Sequence, residues 1–191
     1  MPRAGLTPAA VVDRALEVID EEGLPQLTLT KVADRAGVAV PALYKHVRNL
    51  AELHQLIRVR VLGELTAELT AAVLGRSGED ALRALAKTFR EYALRHPHRY
   101  AATVPAAGSD PRVAEAAGRM LEIFLAVLRG FGLEGSAAIH ATRALRAACH
   151  GFTGIQVAGG FGLPEDLDVS YDLLVTMVVR SLPLAREIGG A

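Results

Sequence analysis

The stretch GVAVPALYKHV, residues 37–47, sets a phenol, an ammonium and an imidazole side by side as Tyr44, Lys45 and His46, with Arg48 just beyond. All four are donors suited to phosphate oxygens. In front of them stand Val40, Pro41 and Ala42. A first turn made of such small side chains can come close to base edges in a major groove, and Ala42 offers a methyl for contact with a thymine methyl. Upstream, Thr28, Thr30 and Lys31 fall at the start of a preceding helix, where hydroxyls and free backbone amides favour an anionic phosphate. Over residues 28–48 there are four basic side chains (Lys31, Arg35, Lys45, Arg48) against the single acid Asp34. The whole chain, by contrast, balances 21 basic with 21 acidic residues, so a surface for nucleic acid has to be local. A second reading of the same residues stays open: a plain three-helix bundle in which Tyr44 covers a core edge and the lysines are solvated.

A second group of polar residues lies near the C-terminus. Arg143, Arg146 and His150 follow one another at spacings of three and four, on the same side of a helix as Ile139, Thr153 and Val157. His150 sits in AACHGFTG among small and apolar residues. Together with Phe89, Tyr92, Met120, Phe124, Arg146 and Phe152 it would line an apolar pocket in which the imidazole is a polar anchor. A buried histidine hydrogen-bonded only for structure is the competing reading. On the opposite side of the same helix, Ala137, Ala141, Ala144, Ala148, Gly151 and Ile155 alternate steps of four and three. Such a narrow stripe lets another helix approach closely, either within the chain or from a second copy, with Tyr171, Leu174 and Val178 of the last helix as larger partners.

Catalytic and metal chemistry find little support. His96 and His98 have no Cys or acidic residue at ligand spacing. There is no nucleophile elbow, phosphate-cradling glycine loop or His-Glu helix pair. Cys149 is the one cysteine, which excludes an intramolecular disulfide, and it reads as a buried small hydrophobe. No metal or cofactor is expected, and the protein is expected not to be an enzyme. The alternative to a DNA-binding protein is a helical small-molecule binder or enzyme that does not touch DNA. The amphipathic, acidic N-terminus is unlike a signal peptide, and no uninterrupted apolar run of about 18 residues exists. A reduced, cytoplasmic location without membrane contact follows.

The elements that must hold these residues all read as helices. Thr7 before Pro8 starts one that Gly23 stops; Thr28 caps a second that Gly37 ends; a third runs over about residues 40–46 with Pro41 in its first turn. Asn49 caps a long helix over residues 50–74, where Leu50, Leu53, Ile57, Val61, Leu65, Leu69 and Val73 recur at helical spacing. Further helices are predicted over 79–95, from 110 to about 129, over 136–158, and over 168–182, the last stopped by Pro183 and followed by a frayed AREIGGA tail. The 191 residues therefore divide into a three-helix head, residues 1–48, and a helical body, residues 49–191. The fold class is all-α.

LTLTKVADRAGVAVPALYKHVRNLAEL, residues 27–53, resembles the DNA-binding head of TetR-type (TetR/AcrR) transcriptional regulators. The matching positions are Thr28, Val32-Ala33, Gly37-Val38, Ala42, Leu43-Tyr44, Lys45, His46 and Val47. Ala39 stands where Ser or Thr is often found, which removes a helix cap, and Val47 where Phe is usual. Residues 143–179 resemble, more weakly, the body of a TetR-type subgroup marked by a Trp-His-Gly segment; His150-Gly151 match, while Cys149 stands near the Trp position. The resemblance implies a helix-turn-helix head joined by a long helix to a ligand-binding and dimerisation body. It implies a homodimer on a near-palindromic double-stranded operator and release by a small-molecule effector. Repression rather than activation follows because the family mostly represses.

Overall fold

The computed structural model describes residues 6–103 and 110–189, and among them every element of regular structure is a helix. In chain order these are α1 (Pro8–Glu22), α2 (Leu29–Ala36), α3 (Val40–Leu43), α4 (Leu50–Val73), α5 (Gly78–Arg95), α6 (Pro97–Ala101), α7 (Pro111–Arg129), α8 (Gly135–Val157) and α9 (Leu167–Gly189), with a single 3-10 turn at Leu24–Gln26. The chain forms two compact units, one from the residues up to Glu64 together with His96–Ala117, the other from Leu65–Arg95 and Gly118 onward. α4 and α7 contribute residues to both.

In the first unit, local chemistry sets the helix ends. The Thr7 hydroxyl accepts from the Ala10 N–H at 3.1 Å, Thr28 accepts from Lys31 N–H at 3.2 Å, and the Asn49 side chain accepts from Glu52 N–H at 2.8 Å. Each satisfies an amide that a helix N-terminus leaves unpaired. α2 ends in a left-handed turn: Gly37 has φ 66°, and the Val38 N–H reaches back to the Ala33 carbonyl at 3.0 Å. Val11, Ala15, Val18 and Ile19 of α1 are buried along with Val32 and Ala33 of α2 and Leu43 and Val47. α6 packs on α1 and the 3-10 turn. Its Arg99 donates to both Asp20 oxygens, at 2.8 and 2.5 Å, and to Glu64 Oε2 at 3.1 Å. Arg58 of α4 donates to the Ala102 carbonyl at 2.9 Å.

The second unit is built from α5, α8 and α9 around Leu82, Leu85, Phe89 and Tyr92, with Phe124 and Leu128 of α7. Tyr171 of α9 is buried, and its hydroxyl donates to the Ala86 carbonyl at 2.8 Å. Arg90, only 9% exposed, has its guanidinium 4.9 Å from the Tyr171 ring centroid, while it donates to Gln156 at 2.7 Å and pairs with Asp168 at 2.8 Å. The two ion-pair and amide contacts satisfy a charge that burial alone would disfavour.

Two elements differ from the sequence reading. α3 is shorter than the expected 40–46, because after Leu43 the chain closes into a turn in which the His46 and Val47 N–H groups both donate to the Leu43 carbonyl, at 2.8 and 3.0 Å. At the other end, α9 does not stop at Pro183 but runs through it to Gly189. Proline removes one backbone donor, and the ring is tolerated here because Pro183 is exposed while Leu182 beside it is buried and anchors the turn. The expected tail therefore lies within α9 up to Gly189, and residues 190 and 191 fall outside the described residues, as does most of the connection expected before Asp110.

A Cβ built on Gly37 meets nothing within 4 Å, so substitution there tests the backbone alone. Gly37→Ala is expected to lower stability by about 1 kcal/mol and Gly37→Asn by less, since Asn tolerates left-handed backbone better. Chemical denaturation measures both; equal losses would move the cause away from the dihedral angle.

Candidate functional site

The head presents a compact outward patch. α3 begins without a side-chain cap, since its N-cap residue is Ala39, and Pro41 sits in its first turn with φ already suited to a helix. Leu43 and Val47 are its buried anchors. They turn Pro41 to solvent and leave Val40 and Ala42 half-buried. Tyr44 is 54% exposed, Lys45 is exposed, and His46 is half-buried. Among the described residues Lys45 makes no ion pair.

The other expected phosphate donors are placed differently. Thr28 and Thr30 are exposed at the start of α2. The Thr28 oxygen already accepts from the Lys31 amide, which leaves its O–H as the group that can face outward. Lys31 pairs with Glu22 of α1, Nζ to Oε2 at 2.6 Å. Arg35 grips Glu21 with two bonds of 2.7 and 2.5 Å. Arg48 is paired with Glu52 at 3.1 Å, and the same carboxylate accepts from the Arg48 backbone N–H at 2.7 Å. These hydrogen bonds hold the Glu21 and Glu52 carboxyls below the usual range. The local surplus of positive charge is thus largely met by carboxylates outside residues 28–48. The signal for this was present in the acidic DEEG end of α1, but not which helix it would lie against. Surface pairs of this kind contribute about 0–1 kcal/mol and exchange readily for another anion.

The second unit gathers part of the expected pocket set. The His150 ring lies edge-on to Phe89 with centroids 4.8 Å apart. Phe89, Tyr92, Met120 and Phe124 are buried. Phe152 is half-buried and packs against Phe161 and Tyr171, with ring centroids at 4.7 and 5.1 Å. Arg146 Nε is buried with no hydrogen-bond partner among the described residues, as is the Thr142 hydroxyl. Burial, with the Arg146 charge as a second cause, pushes the His150 imidazole down to about 4. The ring is therefore neutral at pH 7, with one nitrogen able to accept and the other to donate.

The expected helix-contact stripe divides in the structure. Ala137, Ala141 and Tyr171 are buried within their own chain. Ala148, Leu174 and Val178 are half-buried; Ala144, Gly151 and Ile155 are exposed. α9 exposes a second apolar row that the sequence reading passed over, Val169, Leu173, Met177 and Leu184, with Leu173 and Met177 each 60% exposed. The spacing of four from Val169 through Leu173 to Met177 was the available signal. A cavity of about 250 Å³ between α8 and α9 is lined by Ala144, Val178 and Leu184 among others, so the two exposed rows adjoin. No helix among the described residues is long and apolar enough to cross a membrane.

A four-residue helix presented after a glycine turn that follows α2 is the layout of a helix-turn-helix protein. Residues 11–54 match the family model described as bacterial regulatory proteins, tetR family, and residues 82–178 that of the tetracyclin repressor-like C-terminal domain. The chain is 33% identical to the HTH-type transcriptional regulator Rv0681 of Mycobacterium tuberculosis over 96% of this chain and 83% of the relative. It is 34% identical to the class D tetracycline repressor of Escherichia coli over 49% of this chain and 42% of the repressor. The TetR of Acinetobacter baumannii AYE, solved as a Q116A variant in complex with minocycline, has the same fold, with a TM-score of 0.73 at 22% identity over 95% of this chain and 98% of that one. This chain belongs to the TetR family of bacterial regulatory proteins.

The lowered His150 value carries a consequence for stability. In the unfolded chain the imidazole takes up a proton near its ordinary value of 6.5, whereas in the folded protein it does so only near 4. Falling pH therefore favours unfolding across that interval, by up to roughly 2–3 kcal/mol, and the contribution is fully retained above pH 6.5. His150→Phe, which keeps a ring against Phe89 but cannot titrate, is expected to flatten the stability profile between pH 6.5 and 4 in urea melts. Parallel profiles would remove His150 from the cause.

Proposed function

We propose that this protein is a ligand-responsive transcriptional repressor. As a homodimer it binds a near-palindromic DNA operator through residues 1–48, and it releases the operator when a small molecule occupies its body, residues 49–191. The observation that carries the reading is the outward patch of Pro41, Tyr44 and Lys45 on a helix held from behind by Leu43 and Val47. Val40, Pro41 and Ala42 face base edges. Tyr44, Lys45 and His46, with Thr28 and Thr30, hold the phosphate backbone, and Lys31 and Arg48 join them by giving up their glutamate partners. The relatives support repression, since one is a tetracycline repressor.

The dimer forms through the adjoining apolar rows of α8 and α9. Ala144 and Gly151 admit a close helix, and Ile155, Leu173, Met177 and Leu184 supply the apolar area. The effector binds beside His150 and Arg146, whose buried guanidinium Nε has no hydrogen-bond partner among the described residues, against Phe89, Tyr92, Met120, Phe124 and Phe152. The Cys149-His150-Gly151 segment serves here as the Trp-His-Gly segment serves in the subgroup it resembles. An effector acts by binding the operator-free form more tightly, and a difference of about 2–3 kcal/mol changes operator occupancy by tens to a hundredfold. Such a protein works in the cytoplasm, where its DNA is.

Selection of bound duplexes from random DNA, followed by a screen for small molecules that release them, tests the reading as a whole; no enriched duplex, or none released by any bound molecule, counts against it. In the same assay Leu173→Arg with Met177→Arg is expected to yield a folded monomer by sedimentation with operator affinity lowered at least tenfold. A variant that stays dimeric would place the interface elsewhere. Lys45→Ala is expected to weaken binding on all sequences alike and to reduce the salt slope by about one counterion. An unchanged slope would take Lys45 off the phosphate backbone.

A further inference from the structure

α3 has an unusual surface for a helix that reads DNA. It spans Val40–Leu43 and Leu43 is fully buried, so Val40, Pro41 and Ala42 are its whole outer face. None of these side chains carries a hydrogen-bonding atom. The backbone adds little there, because Pro41 has no N–H and the Ala42 N–H is spent on the Ala39 carbonyl at 2.8 Å, which leaves the Val40 N–H at the start of the helix. The N-cap, which often supplies a hydroxyl, is the methyl of Ala39. Side-chain donors resume only at Tyr44, beyond the buried Leu43.

A base edge pressed against such side chains finds no partner in them for its amino or carbonyl groups, and a polar group stripped of water without a partner is disfavoured. In the major groove the large apolar feature of a base pair is the thymine C5-methyl, whereas a C·G pair has only hydrogen at that carbon beside the cytosine amino group and the guanine N7 and O6. Building on the DNA-binding reading above, we infer that α3 recognises its operator by thymine methyl groups. The centre of each half-site is an A·T-containing step whose methyls pack on Val40, Pro41 and Ala42. Tyr44, Lys45 and His46 then fix register from the flanks and carry little of the base choice. Sequence preference rests on apolar contact rather than on the bidentate side-chain bonds that Arg, Asn or Gln would make.

The DNA itself can be altered to test this, with the full-length protein unchanged. Duplexes enriched from random DNA are resynthesised with one thymine at a time replaced by uracil, which removes only the methyl, and affinity is measured by fluorescence anisotropy at fixed salt. One or two adjacent thymines in each half-site are expected to show a three- to fivefold loss, the value of one buried carbon group, with no effect at the others. Replacing a cytosine at those positions by 5-methylcytosine is expected to recover part of the affinity that C·G loses. Ala42→Gly, checked by thermal melting, is expected to shrink the uracil penalty; if that variant does not fold, the base series alone decides. Enriched half-sites without thymine, or a uracil operator bound as tightly as the thymine operator at every position, overturn methyl recognition while leaving DNA binding intact. No enriched duplex at all overturns both.

Discussion

Left-handed backbone at Gly37 turns the chain out of α2 and onto Val40, and the outward patch of the head exists only because that turn is made. The Val38 N–H closing on the Ala33 carbonyl ties the turn to α2, which is itself packed through Val32 and Ala33. Beyond the turn only two buried residues, Leu43 and Val47, hold the next segment down. So short a helix could not stand alone, since forming the first turn of a helix is unfavourable without tertiary support. Its face is rigid because its back is buried, and Tyr44 and Lys45 are exposed as a direct consequence.

The charges around that patch have a different character. Lys31, Arg35 and Arg48 each rest on a glutamate, in pairs at the surface. Such pairs order the cations without committing them, because water and salt screen the attraction. Arg99 is placed more firmly. It is held by Asp20 of α1 and Glu64 of α4 together, which keeps its guanidinium protonated well above the ordinary range and ties α6 to two helices of the first unit. An anion can compete for Lys31 far more readily than for Arg99.

In the second unit the polar groups are interior. Arg90 is buried against Tyr171 and Phe152 with Gln156 and Asp168 as its partners, and burial raises the Tyr171 phenol and the Cys149 thiol above their usual ranges. His150 is kept neutral by the same loss of water. The Arg146 Nε on the same helix is buried with no hydrogen-bond partner among the described residues, and the His150 ring stands edge-on to Phe89. The apolar rows on α8 and α9 are of the opposite kind, with Ile155, Leu173 and Met177 standing exposed to water.

What the sequence by itself determined is everything that depends on neighbours within about four residues. The Thr7, Thr28 and Asn49 caps, the Gly23 and Gly37 stops, the nearly all-helical content and the buried role of Leu43 could be read directly, because capping and helical periodicity are local. Tertiary structure alone decided the rest. α9 is apolar on more than one side, so its composition could not say that Tyr171 faces inward and Leu173 outward. Pro183 looked like an end because the packing of Leu182 that carries the helix past it comes from another element. Lys31 and Arg35 looked free because their partners Glu22 and Glu21 lie on α1, and an ion pair between helices depends on how the helices cross, which no local pattern encodes.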